Sequence, residues 1–155
     1  MSQKPPPKQF VKTPINGTKF TLLVSSAKGG VGKSSVTVGL ALNLKKRGFK
    51  VGILDADVYG PNIPNIVGLS KQDVLTKEEN GKVKFIALDH EDLKIMSVGM
   101  LAKSNQSLAW RGPILTRLLN QFLYQVDWGE LDFLLIDLPP GTGDTQITLL
   151  QDSPI

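Results

Sequence analysis

Residues 27 to 34 read Ala-Lys-Gly-Gly-Val-Gly-Lys-Ser, just after the apolar run Phe20-Thr-Leu-Leu-Val24 and ahead of a helix-like segment ending near Arg47. A strand, a glycine-rich turn and a helix in that order point backbone N–H groups at one spot by a helix N-terminus, which suits an anion. Gly29, Gly30 and Gly32 let the backbone curl inward without side-chain bulk. Lys33 then reaches the β- and γ-phosphates of a nucleotide, and the Ser34 hydroxyl ligates Mg²⁺. The expected phosphate site therefore runs through Ala27, Lys28, Gly29, Gly30, Val31, Gly32, Lys33, Ser34 and Ser35. Ala27 stands where such loops usually start with glycine, and Lys28 is a second lysine that an ordinary phosphate loop does not require.

Outward from the loop, the pattern alternates between strands and helices. The helix from Lys33 to Arg47 carries Val36, Leu40 and Leu44 on one face and closes at Gly48. Val51-Gly-Ile-Leu54 is a buried strand ending on Asp55-Ala-Asp57. Residues 58 to 82 read as loop, with Asn80-Gly81 as a turn. Val83 to Leu88 and Leu93 to Val98 read as strands around the polar turn Asp89 to Asp92. A helix from about Pro113 to Val126 repeats Leu115, Leu118, Leu119, Phe122, Leu123 and Val126 at helical spacing. Leu131 to Ile136 is a further strand, running into Asp137-Leu-Pro-Pro-Gly-Thr-Gly-Asp144, where a last short helix begins. This order predicts an α/β fold with a mostly parallel sheet and right-handed crossovers. In such sheets ligands bind beyond the C-terminal strand ends, and three polar clusters fall there: the loop, Asp55 with Asp57, and Asp137.

Composition narrows the function class. The 155 residues suffice for one domain, with 41% apolar content to fill one core. Residues 1 to about 18, with Pro5, Pro6, Pro7 and Pro14, read as an extended leader, leaving 19 to 155 as the folded domain. The sequence shows neither an apolar run of the ~18–20 residues that span a bilayer nor a secretory signal. The expectation is a cytoplasmic protein without a membrane partner. There is no cysteine, so no thiolate to hold zinc or an iron–sulfur cluster. His90 is the single histidine and reads as a solvated residue of an acidic turn, not a metal ligand. Charge is uneven: +10 before Asp55, where there is no acid, and −6 from there on. A nucleic-acid surface is one reading of that asymmetry. The simpler one assigns Lys28 and Lys33 to the phosphate loop, Lys45, Lys46 and Arg47 to a helix C-terminus, and Lys4, Lys8 and Lys12 to the leader, with no nucleic-acid partner.

The pattern x-K-G-G-x-G-K-S resembles the deviant Walker A loop of the MinD/ParA/nitrogenase-iron-protein group. That resemblance implies a P-loop NTPase of three α/β/α layers and a homodimer across the nucleotide, in which Lys28 reaches the partner's phosphates. It also implies a switch I in which Asp57 orients the attacking water and Asp55 supports the Mg²⁺ shell. Asp137 would hold Mg²⁺ with Ser34, and Gly141 and Gly143 would flank Thr142 in a switch II sensing the γ-phosphate. Lys28, Lys33 and Asp57 are thus the expected catalytic residues. Asp55-Ala-Asp-Val-Tyr-Gly-Pro61, Trp110-Arg-Gly-Pro113, Asp127-Trp-Gly-Glu-Leu-Asp132 and the segment from Asp137 to Asp144 resemble the Mrp family (ApbC/Nbp type). Membership implies an ATPase that binds iron–sulfur clusters and transfers them to apoproteins. Trp110 and Arg111 are read as core or dimer contacts.

The family's cluster ligands are a C-x-x-C pair in its C-terminal half, absent from these residues. The sequence is thus expected to be an N-terminal portion, with about four or five strands, an exposed edge at the last one, and marginal stability alone. Two other readings stand beside the carrier: a positioning or partition ATPase of the MinD/ParA type, and a non-hydrolysing nucleotide-binding dimerisation module.

Overall fold

Backbone pairing extends the first apolar run by two residues, giving β1 (Thr18–Val24), and the phosphate loop delivers the chain into α1 (Lys33–Lys46). The computed structural model describes residues 15–69, 72–102 and 112–141. After β2 (Val51–Asp55) come the short helix α2 (Ile63–Ile66), β3 (Leu75–Glu79), β4 (Lys82–Ile86), β5 (Leu88–His90) and β6 (Leu93–Ser97). Then follow α3 (Val98–Ala102), α4 (Gly112–Tyr124), β7 (Val126–Asp127) and β8 (Leu131–Asp137).

The main sheet has the order β1-β8-β2-β6-β5; every pair is parallel except β5 with β6. Side chains alternate between its faces. Ile53, Ile95 and Leu135 pack with Val38 and Ala41 of α1 on one face. Leu54, Met96, Leu134 and Ile136 meet Leu118, Leu119, Phe122 and Leu123 of α4 on the other. These three layers match the expected α/β/α architecture. A smaller sheet, β3-β4-β7, attaches through Phe85, whose ring meets Phe122 edge-on at 5.4 Å. The Asn80-Gly81 turn of its β3–β4 hairpin has positive φ at both residues, as that dipeptide predicts.

Several expectations change. The folded part begins earlier than residue 19, because Ile15 is buried in the core. α1 buries Thr37, Val38 and Ala41, while Val36 is 62% exposed and Leu40 39% exposed. The helix phase follows the phosphate loop, not the larger apolar residues. The stretch read as loop from 58 to 82 contains α2 and β3. β3 has a single apolar residue and is held to β4 by its backbone ladder and a Lys84–Glu79 ion pair, so no hydrophobic pattern announces it. Val83 to Leu88 divides at Ala87 into β4 and β5, which belong to different sheets. The turn expected over residues 89 to 92 narrows to Glu91-Asp92, both at positive φ. Leu93 to Val98 ends one residue early, and Val126 belongs to β7, not to α4. The last strand is not an edge: β8 lies between β1 and β2, and β1, carrying a 60% exposed Phe20, forms that border. The helix expected near Asp144 lies outside the described residues.

The corrected face of α1 has a direct test. Val38→Ala should cost roughly 2 kcal/mol for two buried methyls and the space they leave. Val36→Ala should stay within about 0.5 kcal/mol. Urea unfolding of both variants checks this, and the reverse ranking would restore the face read from the sequence.

Candidate nucleotide site

Register places the site. Val24 pairs with Asp137, Asp137 with Asp55, and Asp55 with Ser97, so four parallel strands end in one row. In-register residues share a face, here the one that α1 covers. Asp137 and Asp55 are both fully buried, and Asp57, two residues beyond β2, is 7% exposed. Buried carboxylates need counter-charge or donors, and each of these has its own set.

Asp137 is held by the start of α1. The Ser34 hydroxyl donates to its Oδ2 at 2.6 Å. Thr37 Oγ1 lies 3.0 Å from its Oδ1 and 3.1 Å from the Lys33 carbonyl. Lys33 Nζ stands 2.8 Å from the same Oδ1 and 3.4 Å from Asp57 Oδ2, with its side chain 7% exposed. Both are ion pairs of a buried ammonium, and neither has the directional geometry of a hydrogen bond. A buried cation at the head of a 14-residue helix suits an anionic ligand. The loop is shaped to match: Gly30 and Gly32 sit at φ +74° and +89°, and a side chain at either would be strained. Gly32 is the N-cap of α1, where an N–H, not a side chain, must face the ligand.

Asp57 Oδ1 accepts from the backbone N–H groups of Tyr59 and Gly60, both at 3.2 Å, which leaves Oδ2 turned toward Lys33. Asp55 Oδ1 accepts from Asp57 N at 3.2 Å, and its Oδ2 from Ile63 N at 3.2 Å and Ser97 Oγ at 2.9 Å. Burial pushes the Asp55 carboxyl up to about 7, with the neighbouring Asp137 charge adding to the rise; the Ser97 and backbone hydrogen bonds oppose it.

These groups surround a cavity of about 640 Å³, walled by Gly29, Gly30, Gly32, Lys33, Ser34, Ser35 and Asp57, and closed by Tyr59 to Asn62 and Pro140. Expected residues thus converge at one place. Lys28 is exposed beside it, its carbonyl accepting from Ser26 Oγ at 2.9 Å. Ala27 and Val31 are exposed loop positions, and Gly141 is tied in by its N–H to the Ser26 carbonyl at 2.8 Å. Neither Asp55 nor Asp137, both expected beside the metal, lines the cavity: Asp137 lies directly behind Ser34 and Lys33, whereas the oxygens of Asp55 serve the backbone of the following loop and Ser97. Gly143, with Thr142, and Trp110 and Arg111 lie outside the described residues. Sequence reading missed Thr37 and Ser97. Thr37 follows Ser34 by three positions on a helix and so shares its face. Ser97 is a polar residue closing an apolar strand, the same signal that marked Asp137.

The donor set fits Mg²⁺ in one particular way. Among the described residues no three His, Cys, Asp or Glu side chains cluster to hold a metal ion. A hydroxyl and a carboxylate 2.6 Å apart suit an ion that takes few protein oxygens and completes its shell with phosphate and water. Among the described residues no helix is long and apolar enough to cross a membrane.

A buried lysine side chain and a half-buried serine at a glycine loop, facing an aspartate at the end of the adjacent strand, define a P-loop nucleotide-binding protein. Comparison with known proteins narrows this. The family model for the NUBPL iron-transfer P-loop NTPase (ParA) matches residues 17–155, and the chain belongs to that family. It is 48% identical over 149 residues to the iron–sulfur cluster carrier protein of Helicobacter pylori, covering 96% of this chain and 40% of that protein. The carrier protein of Pyrococcus horikoshii is 41% identical over 153 residues, covering 94% and 52%. A nucleotide-binding protein of Archaeoglobus fulgidus, solved in complex with ADP, superposes with a TM-score of 0.73 at 42% identity, covering 88% of this chain and 51% of that one. The chain therefore spans about two-fifths to half the length of these relatives.

Thr37→Val tests the support beneath Asp137. It keeps the volume and removes the hydroxyl, and should destabilise the protein by roughly 1–3 kcal/mol by leaving a buried acceptor short of a donor. Chemical denaturation reads it; an unchanged midpoint would mean that Asp137 does not depend on Thr37.

Proposed function

We propose that this chain is the Mg²⁺-ATP site of an ATPase that loads iron–sulfur clusters onto apoproteins. The observation that carries the reading is the buried Lys33 ammonium, ion-paired with Asp137 and Asp57 at the mouth of a glycine loop. The identity to iron–sulfur cluster carrier proteins supports the cargo.

The residues divide the work. Backbone N–H groups of residues 29 to 34 bind the phosphate chain, and Lys33 turns its donors to the β- and γ-oxygens. Ser34 and Asp137 would hold Mg²⁺, which neutralises charge on the phosphates. Asp57 orients a water and accepts its proton, with Oδ1 fixed by Tyr59 and Gly60 so that Oδ2 faces the site. Asp55 acts on the loop that carries Asp57. Lys28, exposed at the rim, serves a second copy of the chain, supplying a cation to that copy's phosphates in the manner of an arginine finger. The cluster needs thiolates that these 155 residues do not contain, so its ligands belong to the part of the relatives' length that this chain does not span.

Phosphate release measured with Mg²⁺-ATP tests the hydrolytic assignment. Asp57→Ala should lower turnover by about 10²–10⁴-fold while ATP still binds; equal background rates in both proteins would favour the non-hydrolysing module.

Lys28→Ala separates the trans role from binding. It should abolish both turnover and nucleotide-dependent dimerisation, seen by light scattering, in a monomer that remains folded. Turnover equal to wild type would remove Lys28 from the mechanism.

A further inference from the structure

Outside the cavity, the end of β6 makes contacts that the phosphate site does not itself require. Ser97 is fully buried and shares the strand-end row with Asp55. Its hydroxyl donates to Asp55 Oδ2 at 2.9 Å and accepts from Gly99 N at 3.0 Å. Asp55 in turn accepts from Asp57 N and Ile63 N. One carboxylate, oriented by one serine, therefore pins both ends of the loop from 57 to 63.

The middle of that loop has a second anchor. A Cβ built on Gly99 would lie 2.8 Å from both Cβ and Cγ of Pro61, so the α3 backbone rests directly against the proline ring. Pro61 is also a wall of the nucleotide cavity, whereas Ser97 and Gly99 are not. Pro61 also lines another cavity of about 450 Å³, with Pro64, Leu69, Gly99 and Met100. The loop's position rests on hydrogen bonds at its ends, on the Asp57 carboxylate's bonds to Tyr59 and Gly60, on Val58 against the core, and on the Gly99–Pro61 contact.

We infer that Ser97 and Gly99, on the corner between β6 and α3, are positioning residues for Asp57. They hold the 57–63 loop so that Asp57 Oδ2 stays turned toward Lys33. Neither touches the nucleotide cavity; Ser97 acts through Asp55 and Gly99 through Pro61. This rests on the reading of Asp57 as the group that orients water. A displacement of about 1 Å at such a group costs on the order of 10²-fold in rate. Binding rests chiefly on the glycine loop and Lys33, so that displacement weakens it far less than it slows turnover.

The experiment compares Ser97→Ala, Ser97→Thr and Gly99→Ala with wild type in the full chain. It measures Mg²⁺-ATP turnover, ADP affinity by calorimetry and amide hydrogen exchange. In Ser97→Ala and Gly99→Ala, kcat should fall by about 10-fold or more while ADP affinity stays within about threefold. Amides of Asp57 and Ile63 should exchange roughly fivefold faster in Ser97→Ala, with β8 amides still protected, which separates loop release from general unfolding. Ser97→Thr, which keeps the hydroxyl, should recover most of the turnover. Unchanged exchange at 57–63 in Ser97→Ala, or turnover and affinity falling together, would overturn the inference. If the wild-type chain hydrolyses no ATP, the hydrolytic reading fails, yet the exchange measurement still decides whether Ser97 holds the loop.

Discussion

A carboxylate with no exposed surface at the end of a central strand sets the terms for the rest of this structure. Asp137 is fully buried, and an isolated charge in such a place is untenable. Its partners are Lys33, Ser34 and Thr37, all from the first turn and a half of α1. Their combined demand fixes how α1 is rotated about its axis. The helix then buries the small residues Thr37, Val38 and Ala41 and leaves Val36 and Leu40 outside. Electrostatic satisfaction at one residue has thus overruled the larger hydrophobic stripe. The glycine loop follows from the same constraint, because it must deliver Lys33 to that depth within a few residues of β1.

Asp55 shows the opposite resolution of a similar problem. It stands beside Asp137 in register and on the same face, so the two charges repel. Asp137 takes the cation and the hydroxyls of α1; Asp55 takes the backbone N–H groups of Asp57 and Ile63 and the hydroxyl of Ser97. With no cation for Asp55, burial dominates and lifts its carboxyl far above the usual carboxylate range. One acid is therefore suited to the ligand site and the other to the shape of the loop beside it. A sequence pattern of strand-end aspartates does not distinguish these uses, since both close apolar runs.

What was readable in the sequence depended on how local its cause was. The phosphate loop, the Gly48 closure of α1 and the Asn80-Gly81 turn each arise from backbone chemistry within a few residues, and each stands where expected. The apolar face of α4 through Leu118, Leu119, Phe122 and Leu123 is also present, because period alone sets it. Strand ends at Asp55 and Asp137 converge because parallel α/β topology brings them together. Other features depend on distant partners. β3 exists because β4 offers it a backbone ladder, α1's buried face answers to Asp137, and Ser97 matters only because register sets it beside Asp55. The position of β8 between β1 and β2, which moves the exposed border to β1, is likewise a property of chain order in space and not of any segment.

That position also explains the lopsided charge of the sequence. Inserting β8 between β1 and β2 interleaves the basic first third with the acidic remainder. Lys19 pairs with Asp132, Lys33 with Asp57 and Asp137, and Lys50 with Glu130, each joining a base before Asp55 to an acid after it. The two exposed pairs contribute little, about 0–1 kcal/mol each, and do not hold the sheet together. They do bring two bases of the front, Lys19 and Lys50, against acids of the remainder. The buried Lys33 set is different in kind, because removing either sign leaves an uncompensated charge in the core. A one-residue slip of β8 would turn Asp137 to the α4 face and leave Lys33 without it. Strand register, loop length and the depth of Lys33 must therefore agree together, which is why the phosphate site and the central sheet are one construction.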